Sequence, residues 1–168
     1  MTEKLPEPWL RGALSDVHPL IMPVLFSFQQ VREDIRTYTG DLTDEQVWRQ
    51  LDGLPPLGFH LRHIAGSVDR LVTYLSGEQL SEQQLLFLRQ EATAGATLQE
   101  LLRAVDASLD VAEARVRNIN PQTVYDARSV GRRKLPTTVV GLLIHLAEHT
   151  QRHLGQAITT AKFLKHMS

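Results

Sequence analysis

Hydrophobic residues recur at alternating intervals of three and four positions in four long segments of the chain. This spacing places them on one face of an α-helix, because a helix advances by about 100° per residue. The first segment starts near the pair His18 and Pro19 and ends at Gly40, where glycine is typical just past a helix end. The pattern predicts four long helices within the approximate ranges 18–40, 56–77, 97–119 and 136–164.

Capping residues predict further helix starts in the connections between the long helices. Thr97 with Glu100, at the start of the third long helix, has the spacing at which two side chains satisfy free backbone N–H groups. Thr43 with Gln46, and Ser81 with Gln84, have the same spacing within two of the connections. Two short helices are therefore expected there. The last connection, residues 120–136, shows no periodicity and is expected to be irregular. No segment alternates polar and apolar residues over a convincing length, so no strand is predicted.

The pattern as a whole predicts an all-α four-helix bundle. Its long helices are joined by connections of about 15 to 20 residues, whereas antiparallel neighbours in a bundle usually need about 2 to 8. A plain up-and-down order is therefore not required, and long crossover connections are expected.

The composition is that of one ordinary domain. A chain of 168 residues with 42% hydrophobic content can bury a continuous core without crosslinks. We therefore expect one domain over residues 1–168, with residues 1–15 as an N-terminal extension. The net charge of −1 provides no basic face, so neither nucleic acid nor a membrane surface is expected as a partner.

The chain also has no sequence feature of a membrane or secreted protein. No run approaches the roughly 20 apolar residues of a membrane span, and the N-terminus has no leader pattern. Cysteine is absent, which excludes disulfides and thiolate metal ligands and fits a reducing compartment. A soluble, unprocessed, cytoplasmic protein is expected.

The histidines carry the candidate chemistry. Five of the seven lie in two clusters, GFHLRHIAG in the second long helix and HLAEHTQRHLGQ in the fourth. His145, His149 and His153 are four residues apart, which places them on one helical face. His149 and His153 fall within or beside the apolar stripe of their helix, whereas His145 lies about 100° from its centre. His149 and His153 are therefore predicted to point inward.

A metal ion is the partner that two inward-facing imidazoles favour. Their burial is unfavourable unless the nitrogens find partners, and a metal takes one nitrogen from each ring. A third ligand must come from another helix, where His60 and His63 are the candidates. The apolar periodicity alone favours His60, which lies nearer its helix's stripe than His63. The alternative is a set of hydrogen-bonded histidines without a metal, which the second cluster makes less favourable.

A site of three histidines with a fourth position open to water is typical of catalytic zinc. Structural zinc, in contrast, usually has four protein ligands. A metal held by three imidazoles can activate water, polarise a carbonyl group or hold a thiolate. Imidazole binds zinc, nickel, copper and iron alike, so the residue types do not select the metal.

The sequence resembles the DinB-like superfamily (DinB/YfiT-like metalloenzymes), four-helix-bundle proteins that are widespread in bacteria. The resemblance covers roughly residues 18–163 and rests on GFHLRHIAG at residues 58–66 and on VGRRKLPTTVVGLLIHLAEHTQRHLGQ at residues 130–156. In that family one ligand precedes an apolar and a small residue, which matches His63. The other two lie four apart before a Gly-Gln or similar pair, which matches His149 and His153. On this resemblance we choose His63 over His60.

The resemblance also implies a cofactor, partners and two reaction classes. It implies a divalent metal, with zinc or nickel favoured, a homodimer with long crossovers, and a small-molecule substrate. Some similar proteins are S-transferases that use a low-molecular-weight thiol such as bacillithiol or mycothiol, and others are described as metal-dependent hydrolases. The competing class is a non-catalytic protein that binds a metal or a small ligand. A protein of that class is expected to lack one or more of the three metal-binding histidines, and all three are present in this sequence.

Other residues have candidate roles around the site. Three polar residues are candidates to contact the ligands or a substrate: His60, His145 and Gln156. Three basic residues of one loop are candidates to bind an anionic group of a substrate: Arg128, Arg132 and Arg133. Glu148 lies on the far side of its helix from the ligands and is excluded as a base.

Gly155 points to an interface. It lies roughly opposite the apolar stripe of the last helix, where glycine is less favourable than alanine by about 1 kcal/mol unless something packs closely against it. This face is therefore predicted to approach a second subunit.

Overall fold

The structure is a computed structural model that describes residues 5–167. Most of these residues lie in helices. Their bounds are α1 Met22–Thr39, α2 Asp44–Trp48, α3 Leu57–Leu75, α4 Glu82–Gln90, α5 Leu98–Arg117 and α6 Val139–His166. Two short strands are β1 Ala127–Val130 and β2 Leu135–Thr138. Residues 1–4, which belong to the expected N-terminal extension, lie outside the described residues.

Three helices begin with the capping box that their sequences predict. In each, the hydroxyl of the residue just before the helix accepts a hydrogen bond from the backbone N–H three positions on. The side-chain oxygen at that later position accepts one from the backbone N–H of the capping residue. The pairs are Thr43 with Gln46 for α2, Ser81 with Gln84 for α4, and Thr97 with Glu100 for α5. Local sequence therefore determines where both short helices start.

The four long helices pack around one core in the cyclic order α1, α6, α3, α5. Each contributes a fully buried side chain to the centre: Phe28, Leu61, Leu109 and Leu146. In this order α1 lies diagonally across from α3, and α5 lies diagonally across from α6. The connections α1–α3 and α5–α6 therefore cross the bundle, and the prediction of an all-α four-helix bundle with crossovers is confirmed.

The expectation that the last connection contains no strand is wrong. Strands β1 and β2 form an antiparallel hairpin in which Ala127 pairs with Thr138 and Val130 pairs with Leu135. The loop of the hairpin contains Gly131 with a φ of 73°, a conformation that glycine adopts without strain. Strands of four residues are too short for their alternation to stand out in the sequence.

Two predicted helix starts are also wrong. Pro136 pairs with Ser129 in the hairpin, and α6 begins only after Thr138, whose hydroxyl accepts a hydrogen bond from the N–H of Gly141 at 3.1 Å. Helix α1 begins at Met22 rather than near His18, because a turn between the His18 carbonyl and the Ile21 N–H precedes it. In neither case does the change affect the faces that the helices bury.

No helix in residues 5–167 is long and apolar enough to cross a membrane.

Candidate metal centre

Three histidines from two neighbouring helices meet between α3 and α6. One nitrogen from each of His63, His149 and His153 lies within 4.8 Å of the other two. The Nε2 atoms of His63 and His149 are 3.0 Å apart. The ring of His153 has its centroid 4.2 Å from that of His63 and 4.7 Å from that of His149. The structure thus brings together the three residues that the resemblance selects.

The arrangement of nitrogens fits a divalent metal ion. Two imidazole nitrogens bound to tetrahedral zinc at about 2.0 to 2.1 Å lie about 3.4 Å from one another. The 3.0 Å between His63 and His149 is close to that value, so a small outward movement makes room for the ion. The Nδ1 atoms of His149 and His153 are buried and have no hydrogen-bond partner among the described residues. Three imidazoles are a donor set that zinc and nickel accept.

Burial keeps two of these histidines in the form that binds metal. It lowers the pKa of His149 to about 4, and an unfavourable electrostatic interaction with the neighbouring His63 side chain adds to the effect. The same two causes, in the same order, lower the pKa of His153 to about 4. Both rings are therefore neutral near pH 7, as a ligand to a metal must be.

His60 is the most buried histidine near the cluster but is not a member of it. Its side chain is only 3% exposed, and its ring centroid lies 5.8 Å from that of His153. Burial lowers its pKa to about 4, and its Nδ1 has no hydrogen-bond partner among residues 5–167. The apolar periodicity thus identified the more buried residue, whereas the cluster contains His63.

His145 and Glu148 lie at the exposed edge of the cluster. The ring of His145 is 5.0 Å from that of His149, and its Nδ1 is 2.6 Å from a carboxylate oxygen of Glu148. Glu148 also pairs with Arg152, one turn further along α6. Together with His149, these two side chains form a second group whose ligand atoms are close enough to hold a metal. The expectation that Glu148 lies on the far side of its helix from the ligands is therefore wrong, because its carboxylate lies beside His149. That group comes from a single helix and competes with the first for His149.

Sequence reasoning missed two residues that contact the cluster. Glu91, at the end of α4, lies 2.7 Å from Nδ1 of His63 through one carboxylate oxygen. Its other oxygen accepts a hydrogen bond of 2.7 Å from Arg70 of α3. Nothing in the sequence around Glu91 marks it, because its contacts depend on how α4 returns to α3. Arg70 carries a weak signal, since it lies two helical turns after His63 and on the same face.

The remaining predicted residues lie apart from the histidines. Gln156 is exposed on α6 and makes no hydrogen bond to the cluster. Arg128 donates to the carbonyl of Leu75 at the end of α3, and Arg132 and Arg133 are exposed in the loop of the hairpin. At the usual helical rise, Leu75 lies about 18 Å along the axis of α3 from His63. Arg128 therefore lies far along α3 from the candidate metal centre.

These features define a class of protein, a four-helix bundle with crossover connections and a three-histidine candidate metal centre between two of its helices. The family model described as the DinB superfamily matches residues 27–157, which is more than half of the chain and includes His63, His149 and His153. The chain belongs to the DinB superfamily. None of the curated proteins compared with it matches significantly.

We expect the metal-free protein to lose stability as the pH falls from about 6.5 towards about 4. An unfolded histidine takes up a proton near its ordinary pKa of 6.5, whereas His60, His149 and His153 do so only at about 4 when folded. Between these values the unfolded state binds more protons, so acid favours unfolding. The urea midpoint of metal-free protein should fall between about pH 7 and about pH 5.

Two variants act as controls for this pH dependence. His60→Leu removes one of the three groups and should make the fall smaller. His166→Gln, at an exposed position at the end of α6, should leave it unchanged. Identical urea midpoints for the unaltered protein at pH 7 and pH 5 would contradict the lowered pKa values of these three histidines.

Proposed function

We propose that this protein is a metal-dependent enzyme that binds one divalent ion through His63, His149 and His153. The observation that carries the proposal is the convergence of three imidazole nitrogens from two helices, with 3.0 Å between the closest pair. Three protein ligands leave a tetrahedral ion one open position, the property that separates catalytic from structural zinc sites. Zinc or nickel is the favoured ion, because the donors are imidazoles alone.

The charge of the ligand set favours an anion at the open position. The three imidazoles are neutral ligands, so the double positive charge of the ion is not offset by a carboxylate among them. A bound ion therefore supplies a positive charge that favours an anionic sulfur or oxygen atom of the substrate. The side chain of His63 is 16% exposed, which gives the cluster an opening towards solvent.

A low-molecular-weight thiol is the nucleophile that we propose. Among the described residues, the carboxylates that contact the cluster already have partners: Glu91 binds His63 and Arg70, and Glu148 binds His145 and Arg152. No free carboxylate is thus placed to remove a proton from water. A thiol ionises near pH 8.5 and needs less help than water to become a nucleophile.

The proposed reaction is an S-transfer to a small electrophile. The thiol sulfur forms a bond to an electrophilic carbon of the small-molecule substrate, and the leaving group departs with the bonding electrons while the thiol proton passes to solvent. A thiol substrate has to be kept reduced, and the compartment that does this is the cytoplasm. We therefore place the protein there.

Purified protein is expected to contain about one zinc or nickel ion per chain. His63→Ala, His149→Ala and His153→Ala should each lose most of it, because each removes one of three ligands. His166→Ala removes an exposed histidine from the same helix as two of the ligands and should keep the metal. Elemental analysis of the four variants measures this, and full occupancy in any of the three ligand variants would refute the assignment.

Turnover separates the proposed transferase from the alternatives. Metal-loaded protein should join thiols to alkyl halides or epoxides, and His149→Ala should reduce the rate to background. Cleavage of esters or amides without thiol dependence would instead support the hydrolase. Stoichiometric metal with no turnover in either assay would support a non-catalytic binding protein.

We further propose a homodimer that forms through the face shared by α1 and α6. An apolar groove of about 980 Å³ lies between these helices, and Ile144 on its rim is 63% exposed. Gly155 is exposed on α6, and nothing lies within 4 Å of the position that a Cβ would occupy there, so a second chain has room to approach.

Light scattering at micromolar concentration should give twice the mass of one chain, and Ile144→Arg should give a monomer. A monomeric mass for the unaltered protein would exclude the dimer.

A further inference from the structure

Glu91 is a buried charge in a segment that buries little else. No residue of α4 is buried, and Glu91, which directly follows that helix, is only 3% exposed. A carboxylate removed from water is stable only when charges and hydrogen bonds replace its hydration. Glu91 has both: the guanidinium of Arg70, itself 8% exposed, at one oxygen, and Nδ1 of His63 at the other.

The backbone of α3 makes room for this contact. A Cβ at Gly66 would lie 2.7 Å from a carboxylate oxygen of Glu91, 2.7 Å from the ring of Phe87 and 2.8 Å from a guanidinium nitrogen of Arg70. A glycine inside a helix is unfavourable relative to alanine, so its presence here has a packing reason. Gly66 lets α4 and Glu91 approach close enough to reach His63.

The contact determines which nitrogen of His63 faces the cluster. A carboxylate can only accept a hydrogen bond, so the proton of the neutral ring must lie on Nδ1. The lone pair is then on Nε2, the atom that lies 3.0 Å from Nε2 of His149. This is the form of histidine that can donate to a metal at that place, and a carboxylate behind a ligand histidine also makes it a better donor.

We propose that Glu91 is a positioning residue for the candidate metal centre. Its carboxylate, held by Arg70, keeps the His63 proton on Nδ1 and directs Nε2 between α3 and α6. The effect on metal affinity rests on the proposed function, whereas the effect on the His63 proton does not.

The test uses the full chain and two variants that disturb Glu91 in different ways. Glu91→Gln keeps the shape of the side chain and removes its charge. Gly66→Ala removes no polar group and displaces the carboxylate through the close contacts of its Cβ, so it disturbs Glu91 by a different route. Glu82→Gln makes the same chemical change on the exposed surface of α4 and is the matched control.

Two measurements are made on each protein. Competition with a chromophoric chelator gives the dissociation constant for zinc, which should rise about 10- to 100-fold in Glu91→Gln and in Gly66→Ala and stay within twofold in Glu82→Gln. Nitrogen-15 NMR of the zinc-free protein gives the position of the His63 proton. It should lie on Nδ1 in the unaltered protein and in Glu82→Gln, and move partly to Nε2 in the other two variants.

The outcomes distinguish the two proposals. Unchanged zinc affinity and an unchanged His63 proton in both Glu91→Gln and Gly66→Ala would overturn the role of Glu91 and leave the metal centre intact. If the unaltered protein binds no zinc, the metal centre fails, while the NMR measurement still decides whether Glu91 sets the His63 proton. Should Glu91→Gln not fold, Gly66→Ala decides alone.

Discussion

The close approach of His63 and His149 is the interaction on which the rest of the site depends. Two imidazole nitrogens 3.0 Å apart in a partly buried position cannot both carry a proton that points at the other. Burial holds His149 neutral by lowering its pKa to about 4, and the carboxylate of Glu91 accepts a hydrogen bond from Nδ1 of His63. The Nε2 lone pair of His63 therefore points between the two helices, which favours a cation there.

The topology of the bundle makes this approach possible. In a plain up-and-down order the helices α3 and α6 would occupy diagonal corners, and their histidines would be separated by the core. The crossover connections instead place α3 beside α6, and α6 still packs against α1. The long connections thus place histidines from two distant parts of the sequence side by side. They also carry α4, whose last turn delivers Glu91 to His63.

How much of this could be predicted varies with the range of the interactions involved. Helix spacing alone identifies His149 and His153 as inward-facing, and capping pairs identify the starts of the short helices. The choice between His60 and His63 depends on how α3 is rotated about its axis against α6. The spacing of the apolar residues carries no information about this rotation. Burial follows the apolar stripe and selects His60, whereas the candidate metal ligand His63 lies at the edge of that stripe. Glu91 and the β1–β2 hairpin depend on contacts between segments with no local pattern, so only the folded chain reveals them.

The central claim is that one ion is bound by three imidazoles and leaves one position open. X-ray absorption of the zinc-loaded protein tests it most directly, because the fine structure counts imidazoles and reports their distances to the metal. The account predicts three imidazole nitrogens at about 2.0 to 2.1 Å and one further light atom that is not an imidazole. Four imidazoles, or two imidazoles with a carboxylate such as Glu148, would contradict it.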